Sequence, residues 1–224
     1  MNVLILGATG MVGQGVLREC LLDDGVTRVV TLGRTATGQT HPKLHEIVHP
    51  DLLDLSAIEG QLRGLDACFH SLGVSAAGLS EAEYSRINYE MTLSVAEALV
   101  RASPGPVFVY VSGAGTDSTE RGRVMWARVK GRTENALLRL PFRSAYMLRP
   151  GLIVPVHGVK SKTRLYRVFY TIFGPVLPML RKLFPRAIIT SEQLGWAMLG
   201  LARSGYRKQV LEAADLATFA GAAK

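Results

Sequence analysis

The chain opens with Met1-Asn-Val-Leu-Ile-Leu-Gly-Ala-Thr-Gly-Met-Val-Gly-Gln-Gly15, and this stretch decides the fold. The apolar run from Val3 to Leu6 has the length and residue types of a buried strand, and apolar residues in helical spacing follow the glycines. Gly7, Gly10 and Gly13 stand between the two. A strand, a glycine-rich turn and a helix in this order are typical of a site that binds nucleotide phosphates.

Each glycine has its own physical role in such a turn. Gly7 allows a tight reversal, Gly10 leaves room for a pyrophosphate, and Gly13 lets the helix lie close to the strand. Free N–H groups and the helix dipole then favour an anion at the helix start. A glycine turn without a ligand is the alternative, which the order of the elements disfavours. The residues predicted to hold the phosphates are Gly7, Thr9, Gly10, Met11, Val12 and Gly13.

Length and composition indicate one globular domain. The 224 residues are 48% hydrophobic, which is enough to bury a core without covalent staples. Cys20 and Cys68 lie far apart in apolar surroundings and indicate buried thiols in a reducing compartment. Because the sequence also shows no secretion signal, we expect a cytoplasmic protein.

The net charge of +8 is concentrated in one region. Residues 135–191 contain ten Lys and Arg and no Asp or Glu, so the rest of the chain carries a net charge of −2. This basic region could face a cofactor phosphate, an acidic substrate, a membrane surface or solvent. We expect no nucleic-acid binding, because no known binding module accompanies the charge.

Strand and helix patterns alternate along the first two thirds of the chain. This alternation predicts an α/β fold with a doubly wound parallel sheet of the Rossmann type, in which ligands bind beyond the carboxyl ends of the strands. The predicted strands are 3–6, 29–32, 45–49, 66–73, 107–111 and 145–148, with a further edge strand at 209–212. The helical spacing after the glycines predicts a first helix over 11–22, and Asp54 is expected to cap a short helix from about 56 to 62. A capping box at Ser80 and Glu83 predicts a long helix that ends near Ala102, and Thr190 with Gln193 predicts another capped helix that ends near Ala202.

Several residues at these strand ends are candidates for cofactor contacts. Arg34 follows the second strand, where an arginine accommodates the 2′-phosphate of NADP and an acidic residue would favour NAD. NADP is therefore the predicted cofactor, with NAD less favoured. Asp51 could receive the adenine amino group or be a plain loop carboxylate. The other candidates at this edge are Leu52, Leu72, Gly73, Pro150, Gly151 and Ile153.

Together, these features resemble the atypical short-chain dehydrogenases/reductases, which include the NAD(P)-dependent epimerase/dehydratase-like and NmrA-like proteins. The resemblance covers about residues 2–153 and depends on the glycine turn, Ser112, Lys130 and the turn Arg149-Pro-Gly151. Such proteins use Asn, Ser, Tyr and Lys for hydride transfer. By position, the resemblance assigns three of these roles to Asn88, Ser112 and Lys130.

The fourth role lacks its usual residue. The family places a Tyr four residues before the Lys, one helical turn away, and this chain has Trp126 at that position. An indole N–H donates a hydrogen bond, but it cannot exchange a proton near neutral pH as a phenol with a lowered pKa can. Lys130 would still bind the nicotinamide ribose.

The last third of the chain is predicted to cover the substrate. We divide the single domain, 1–224, into a dinucleotide-binding core (1–153), a basic helical lid (154–208), and an edge strand with a C-terminal helix (209–224). The stripe of apolar residues at 164–184 could instead lie on an anionic membrane, although the segment is too short and too interrupted to span one.

Two functions follow from these observations. The first is an NADP(H)-dependent oxidoreductase that acts on a small carbonyl-type substrate. The second is a non-catalytic NADP(H)-binding sensor or scaffold, which the loss of the tyrosine favours. No group of side chains has metal-binding spacing.

Overall fold

A seven-stranded parallel sheet forms the centre of the molecule. We describe residues 1–158 and 187–222 of a computed structural model. The strand order is β3-β2-β1-β4-β5-β6-β9, so the chain starts in the middle of the sheet, builds one half and then crosses to build the other. This topology confirms the predicted doubly wound fold. All seven strands point the same way, so their carboxyl ends meet at one edge.

The strands of this sheet lie close to their predicted positions. They are β1 (Asn2–Leu6), β2 (Arg28–Gly33), β3 (Leu44–Val48), β4 (Ala67–His70), β5 (Val107–Val111), β6 (Ser144–Arg149) and β9 (Val210–Glu212). The central strands are buried on both faces, as their continuous apolar runs require.

Helices cover both faces of the sheet. They are α1 (Met11–Leu22), α2 (Glu81–Ser85), α3 (Met91–Ala102), α4 (Met125–Leu138), α5 (Ser191–Ser204) and α6 (Ala213–Ala222). A π-helical segment, Arg86–Glu90, joins α2 to α3, so the predicted long helix is present with a widened turn inside it. The predicted capping boxes begin α2 at Ser80 and α5 at Thr190.

Two structural details differ from the sequence predictions. The short helix expected after Asp54 is one turn of 3₁₀ helix, Glu59–Leu62, and the Asp54 carboxylate instead accepts from the Ser56 N–H at 3.0 Å. A separate two-stranded parallel sheet, β7 (Leu152–Val154) with β8 (Ile188–Thr190), was not predicted. Strands of three residues leave too little sequence for periodicity to detect.

The core has two parts, one on each side of the sheet. On one side α1 and α5 pack together so closely that a Cβ on Gly15 would lie 2.6 Å from the Ser191 Cβ. On the other side, α3 and the 3₁₀ turn cover Leu4, Leu6 and Phe108. Both cysteines are buried thiols, one in each part, as predicted.

The segment 164–184, predicted as lid or membrane contact, lies outside the described residues. Within 1–158 and 187–222, no helix has the length and apolar character needed to cross a bilayer. The same residues contain no group of three or more His, Cys, Asp or Glu side chains that could bind a metal ion.

Candidate functional site

The glycine turn after β1 has the tight geometry that its sequence predicts. Gly7 has a φ of +78°, and a Cβ there would lie 2.6 Å from the Leu72 backbone nitrogen. At Gly13 a Cβ would lie 2.0 Å from the Gly7 carbonyl oxygen, so α1 touches the turn. No side chain caps the start of α1 at Gly10. The first N–H groups of the helix are therefore directed at the position where a phosphate would bind.

A cavity of about 490 Å³ lies beside this turn. Its walls come from the ends of β1 and β2, the loops after β3 and β4, and the helical segment that contains the π-helical turn. Its volume lies in the range of small-ligand sites. Predicted cofactor residues and unpredicted apolar residues share the walls, and those used below are Gly7, Thr9, Arg34, Leu52, Leu72, Ile87 and Met91.

Arg34 contributes the positive charge of this cavity. It follows β2 directly and its side chain is exposed. Within the part of the chain that the structure describes, it forms no ion pair. Thr37 also lies on this wall, and its backbone N–H donates to the Glu46 carboxylate at 2.8 Å. An unpaired guanidinium at this position suits a phosphate ligand.

Asp51 and Leu52 are placed differently from each other. The Asp51 carboxylate is exposed and accepts from the Leu53 N–H at 2.9 Å, which closes a local turn, and it does not line the cavity. Leu52 is buried and lines it. Leu72 lies on the opposite wall, and Gly73 follows it with an exposed backbone. The adenine contact predicted for Asp51 therefore has no support from the cavity walls.

Lys130 is held at the carboxyl end of β5. Its ammonium donates to the backbone carbonyl of Ser112. Burial lowers the pKa of Lys130 from 10.5 to about 8, while the nearby Glu134 carboxylate acts in the opposite direction. Lys130 can therefore gain or lose a proton near neutral pH.

Trp126 lies one helical turn before Lys130 on α4, half-buried. Its ring packs against the loop after β5, because a Cβ on Gly115 would lie 3.5 Å from the ring edge. The indole ring thus stands at the rim of the site, on the same helix as the lysine, where the resemblance expects a phenol.

The hydroxyl of Ser112 faces the interior of the protein. It donates to the Glu134 carboxylate at 2.5 Å, and the Leu148 carbonyl oxygen lies 3.0 Å away. Glu134 is fully buried and also binds Arg149 through both carboxylate oxygens. The Arg149 guanidinium also donates to the Glu212 carboxylate on β9 at 3.0 Å. Ser112 therefore belongs to a buried network that ties β5, β6 and β9 together, rather than to an open substrate surface.

Asn88 is also fully buried and lies inside the π-helical turn. Its side-chain amide donates to the Tyr84 carbonyl at 3.1 Å. Its backbone carbonyl accepts from the Thr92 and Thr133 hydroxyls at 3.0 and 3.1 Å. These contacts explain why a residue with mediocre helix propensity is kept in the helix, and they give it no direct access to a substrate.

The turn after β6 lies next to the loop after β5. Pro150 is buried, and its carbonyl accepts from the Ala114 N–H at 2.9 Å. A Cβ on Gly151 would lie 2.4 Å from the Ala187 carbonyl oxygen, so the two chain segments touch there. Ile153 lies in β7, half-buried. The structure thus brings the Ser112 and Pro150 loops together, at the same sheet edge as the glycine turn.

Glu134, which organises the inner side of the site, was not among the predicted site residues. A signal was present, because Glu134 follows Lys130 by four residues and so lies on the same face of α4. Ile87 and Met91 on the cavity wall were not predicted either, and they carry no signal beyond ordinary helical periodicity.

Comparison with known proteins shows which family this chain matches. Residues 3–122, more than half of the chain, match the NAD dependent epimerase/dehydratase family. The protein fmp52, mitochondrial, of Emericella nidulans is 32% identical over 170 residues, which cover 73% of this chain and 70% of that protein.

Solved structures show the same fold. The enzyme WbmF of Bordetella bronchiseptica, in complex with NAD+, matches 97% of this chain and 76% of its own, with a TM-score of 0.67 and 18% identity. DesIV, a dTDP-glucose 4,6-dehydratase from Streptomyces venezuelae with NAD bound, matches 95% and 75%, with a TM-score of 0.70 and 19% identity.

The predicted cytoplasmic location is contradicted. The relative from Emericella nidulans and two further curated relatives are named mitochondrial proteins. The prediction depended on two reduced, buried thiols and on the lack of a secretion signal. These features indicate a place where thiols stay reduced and do not distinguish one such compartment from another.

Proposed function

This chain belongs to the NAD dependent epimerase/dehydratase family and has its NAD(P)-binding fold, and from that premise we propose that it is an NADP(H)-dependent oxidoreductase acting on a small carbonyl compound. The observation that carries the proposal is that the cavity lies directly beside the glycine turn and has Arg34 on its wall. When bound, the cofactor supplies the hydride. The chain must hold the dinucleotide, orient the substrate and provide a proton.

The choice of NADP(H) depends on charge at the end of β2. The phosphate-binding turn is common to both cofactors, but the 2′-phosphate of NADP adds a dianion near the adenosine ribose. Within the described residues, Arg34 offers a guanidinium without an ion pair at that strand end, and the cavity walls carry the hydroxyls of Thr35 and Thr37. The Glu46 carboxylate, to which Thr37 donates, is not among the described wall residues. An Asp or Glu in place of Arg34 would repel the phosphate. The apolar side chains of Leu52, Ile87 and Met91 suit the adenine ring.

The proton is assigned to Lys130. Trp126 cannot exchange one, and the Ser112 hydroxyl is directed at the buried carboxylate of Glu134. The ammonium of Lys130 faces the end of β5, and its pKa of about 8 lies near the operating pH. Lys130 therefore serves both to bind ribose hydroxyls and to donate the proton to the substrate oxygen.

Calorimetric titration with NADPH and NADH tests the cofactor assignment. We expect the intact protein to bind NADPH more tightly than NADH. Arg34→Ala should weaken NADPH binding about 10- to 100-fold, as expected for the loss of a charge-assisted phosphate contact, and change NADH binding little. The control Arg63→Ala removes an exposed arginine before β4, at the opposite edge of the sheet. Equal losses for both cofactors would contradict the assignment.

A second function, a non-catalytic NADP(H) sensor or scaffold, is favoured by Trp126. The indole ring occupies the position of the family's acid, and the hydroxyl of Ser112 is bound internally. In this case cofactor binding would shift the conformation of the covering segment and so the binding of a partner. Oxidation of NADPH with a panel of aldehydes, ketones and quinones distinguishes the two functions, since a sensor gives no turnover.

Trp126→Tyr tests whether the missing phenol limits the chemistry. If Lys130 lies beside the reacting atoms, a tyrosine one turn away acquires a lowered pKa and becomes the acid. We expect turnover of NADPH to increase at least tenfold over the unmodified protein, with Trp126→Phe as the control that lacks the hydroxyl. An equal rate for Tyr and Phe would place the reacting atoms elsewhere.

The basic segment 164–184 keeps its two proposed roles, a substrate lid or a contact with anionic membranes. Co-sedimentation with vesicles that contain anionic lipid separates them. If the protein does not bind these vesicles, the membrane role is excluded and the substrate lid is the role that remains proposed.

A further inference from the structure

Three buried side chains beneath the site have polar atoms without partners. Both ring nitrogens of His70, the Oδ1 of Asn88 and the hydroxyl of Tyr110 form no hydrogen bond with any described residue. All three residues are fully buried. An unpartnered buried polar group costs about as much as a lost hydrogen bond, so isolated examples in folded proteins are few. Several in one place need a common explanation.

These side chains belong to one cluster. His70 and Tyr110 are paired across β4 and β5, with ring centroids 5.4 Å apart. Burial raises the pKa of the Tyr110 phenol, and the nearby hydroxyl of Thr133, which donates to the Asn88 carbonyl, acts in the opposite direction. A Cβ on Gly73, three residues beyond His70, would lie 3.1 Å from the Asn88 Oδ1.

The π-helical turn, Arg86–Glu90, is a second and independent observation. Such turns occur often at functional sites, because they insert a residue and redirect side chains. Here the turn contains Asn88, whose backbone carbonyl accepts from the Thr92 and Thr133 hydroxyls. The side-chain amide oxygen of the same residue is buried, and no described group binds it.

The chemistry of the cluster selects a neutral ligand. A neutral imidazole offers one donor and one acceptor, a phenol offers a donor, and the amide oxygen is an acceptor. Burial and the nearby Lys130 charge keep the imidazole uncharged by lowering its pKa to about 3. No carboxylate or second cation would be tolerated without a partner. A small molecule with both donor and acceptor capacity can bond one imidazole nitrogen, the phenol and the amide oxygen; the second imidazole nitrogen points away from it.

We propose that His70, Asn88 and Tyr110 form a buried hydration site, in which an internal water molecule bridges the imidazole, the amide oxygen and the phenol. Buried waters of this kind form about three hydrogen bonds to groups that are otherwise unsatisfied. The water links β4 and β5 to the π-helical turn, whose Asn88 oxygen lies close to Gly73. It thus supports the loop that places Leu72 on the cavity wall, whether or not the cavity binds NADP(H).

The direction of a stability change tests the site. Replacing an unsatisfied polar group with an apolar group of similar shape is neutral or stabilising, whereas removing a water ligand is destabilising. We expect His70→Phe to lower the Tm by about 2–4 °C, the shift for one buried hydrogen bond in a chain of this size. Tyr146→Phe is the calibrating control, because the Tyr146 oxygen accepts from the Tyr206 N–H at 2.9 Å. An unchanged or higher Tm for His70→Phe would overturn the proposal.

A double-variant cycle identifies the shared ligand. If one water bridges both residues, His70→Phe with Tyr110→Phe lowers the Tm by less than the sum of the single changes, because the water is lost only once. Additive losses would contradict a common water. Should either variant fail to fold, a crystal structure of the unmodified protein decides the question. We expect ordered electron density for a water within hydrogen-bonding distance of the His70 ring and the Asn88 oxygen. The absence of such density would overturn the proposal.

Discussion

At the scale of single residues, the phosphate turn depends on the absence of side chains. A methyl group on Gly13 would stand 2.0 Å from the Gly7 carbonyl oxygen, too close for any adjustment of a flexible side chain to relieve. We expect Gly13→Ala to destabilise the fold by about 1–3 kcal/mol and to abolish tight NADPH binding, because α1 must move away from the turn. Urea unfolding and calorimetric titration measure the two effects.

Gly60→Ala is the matched control for this change. Gly60 lies in the 3₁₀ turn, where an added Cβ would meet nothing within 4 Å. We expect this control to be neutral or slightly stabilising, by about 0.4–1 kcal/mol, since it only restricts the unfolded chain. A Gly13→Ala protein with normal stability and normal NADPH affinity would show that the close approach of α1 is not required.

Residue roles were less predictable than residue positions. The sequence places Ser112 and Asn88 correctly at a strand end and inside a helix, but it does not reveal that both are engaged internally. The direction of a side chain depends on partners distant in the chain, here Glu134 and Thr133. Arg34 is the opposite case, because its position after β2 fixes its surroundings.

At the scale of elements, the buried carboxylate of Glu134 joins α4 to the sheet. It accepts from Ser112 and from Arg149, and Arg149 in turn reaches Glu212 on β9. We expect Glu134→Gln to lower the free energy of unfolding by about 3 kcal/mol, because it leaves the Arg149 charge partly uncompensated in the interior. Chemical denaturation should show the loss as a lower midpoint with an unchanged slope.

Glu59→Gln provides a comparison on the surface. It breaks the ion pair with Arg101, whose side chain is 57% exposed, and we expect a loss of less than about 1 kcal/mol. Similar costs for the two substitutions would mean that the Glu134 network is solvated and does not stabilise the sheet junction.

Elements with a strong local signal were predicted closely. Helix α1 matches its predicted bounds, and the capping boxes of α2 and α5 begin those helices where Ser80 and Thr190 indicate. Strands β7 and β8 were missed because their pairing joins residues 152–154 to 188–190, which is a tertiary contact between short segments. The π-helical turn was missed because the local sequence gives no signal for it, and one of the contacts to the Asn88 carbonyl inside it comes from Thr133 on α4.

At the scale of the whole molecule, buried His70 makes stability depend on pH. Its pKa is lowered from 6.5 to about 3, mainly by burial, so between these values the unfolded chain binds a proton that the folded chain does not. Stability is therefore lost as the pH falls below 6.5. When the pH is lowered from 7.5 to 5, this residue alone should lower the free energy of unfolding by about 2 kcal/mol.

Urea unfolding at the two pH values, compared between the unmodified protein and His70→Phe, isolates this contribution. The variant should lose about 2 kcal/mol less on acidification, because the carboxylates titrate alike in both proteins. If both lose stability equally, His70 is protonated in the folded state and the cluster beneath the site must contain a compensating group.

The global architecture was the most predictable level, since repeated strand–helix alternation leaves few topologies for a parallel sheet. The location was the least predictable, because two buried thiols such as Cys20 and Cys68 are compatible with any reducing compartment. The preference for NADPH over NADH stays a prediction, and it depends on one exposed side chain, Arg34, that follows β2.

The place of β9 has a consequence for biosynthesis. This strand is the last of the seven to be synthesised, and it pairs with β6, made some sixty residues earlier, and supplies Glu212 to Arg149. Until residue 212 leaves the ribosome, the nascent sheet has an open edge at β6 and an arginine that lacks one of its counterions. Final closure of the sheet is thus a late event, and chaperones that protect exposed strand edges have a defined period in which to act.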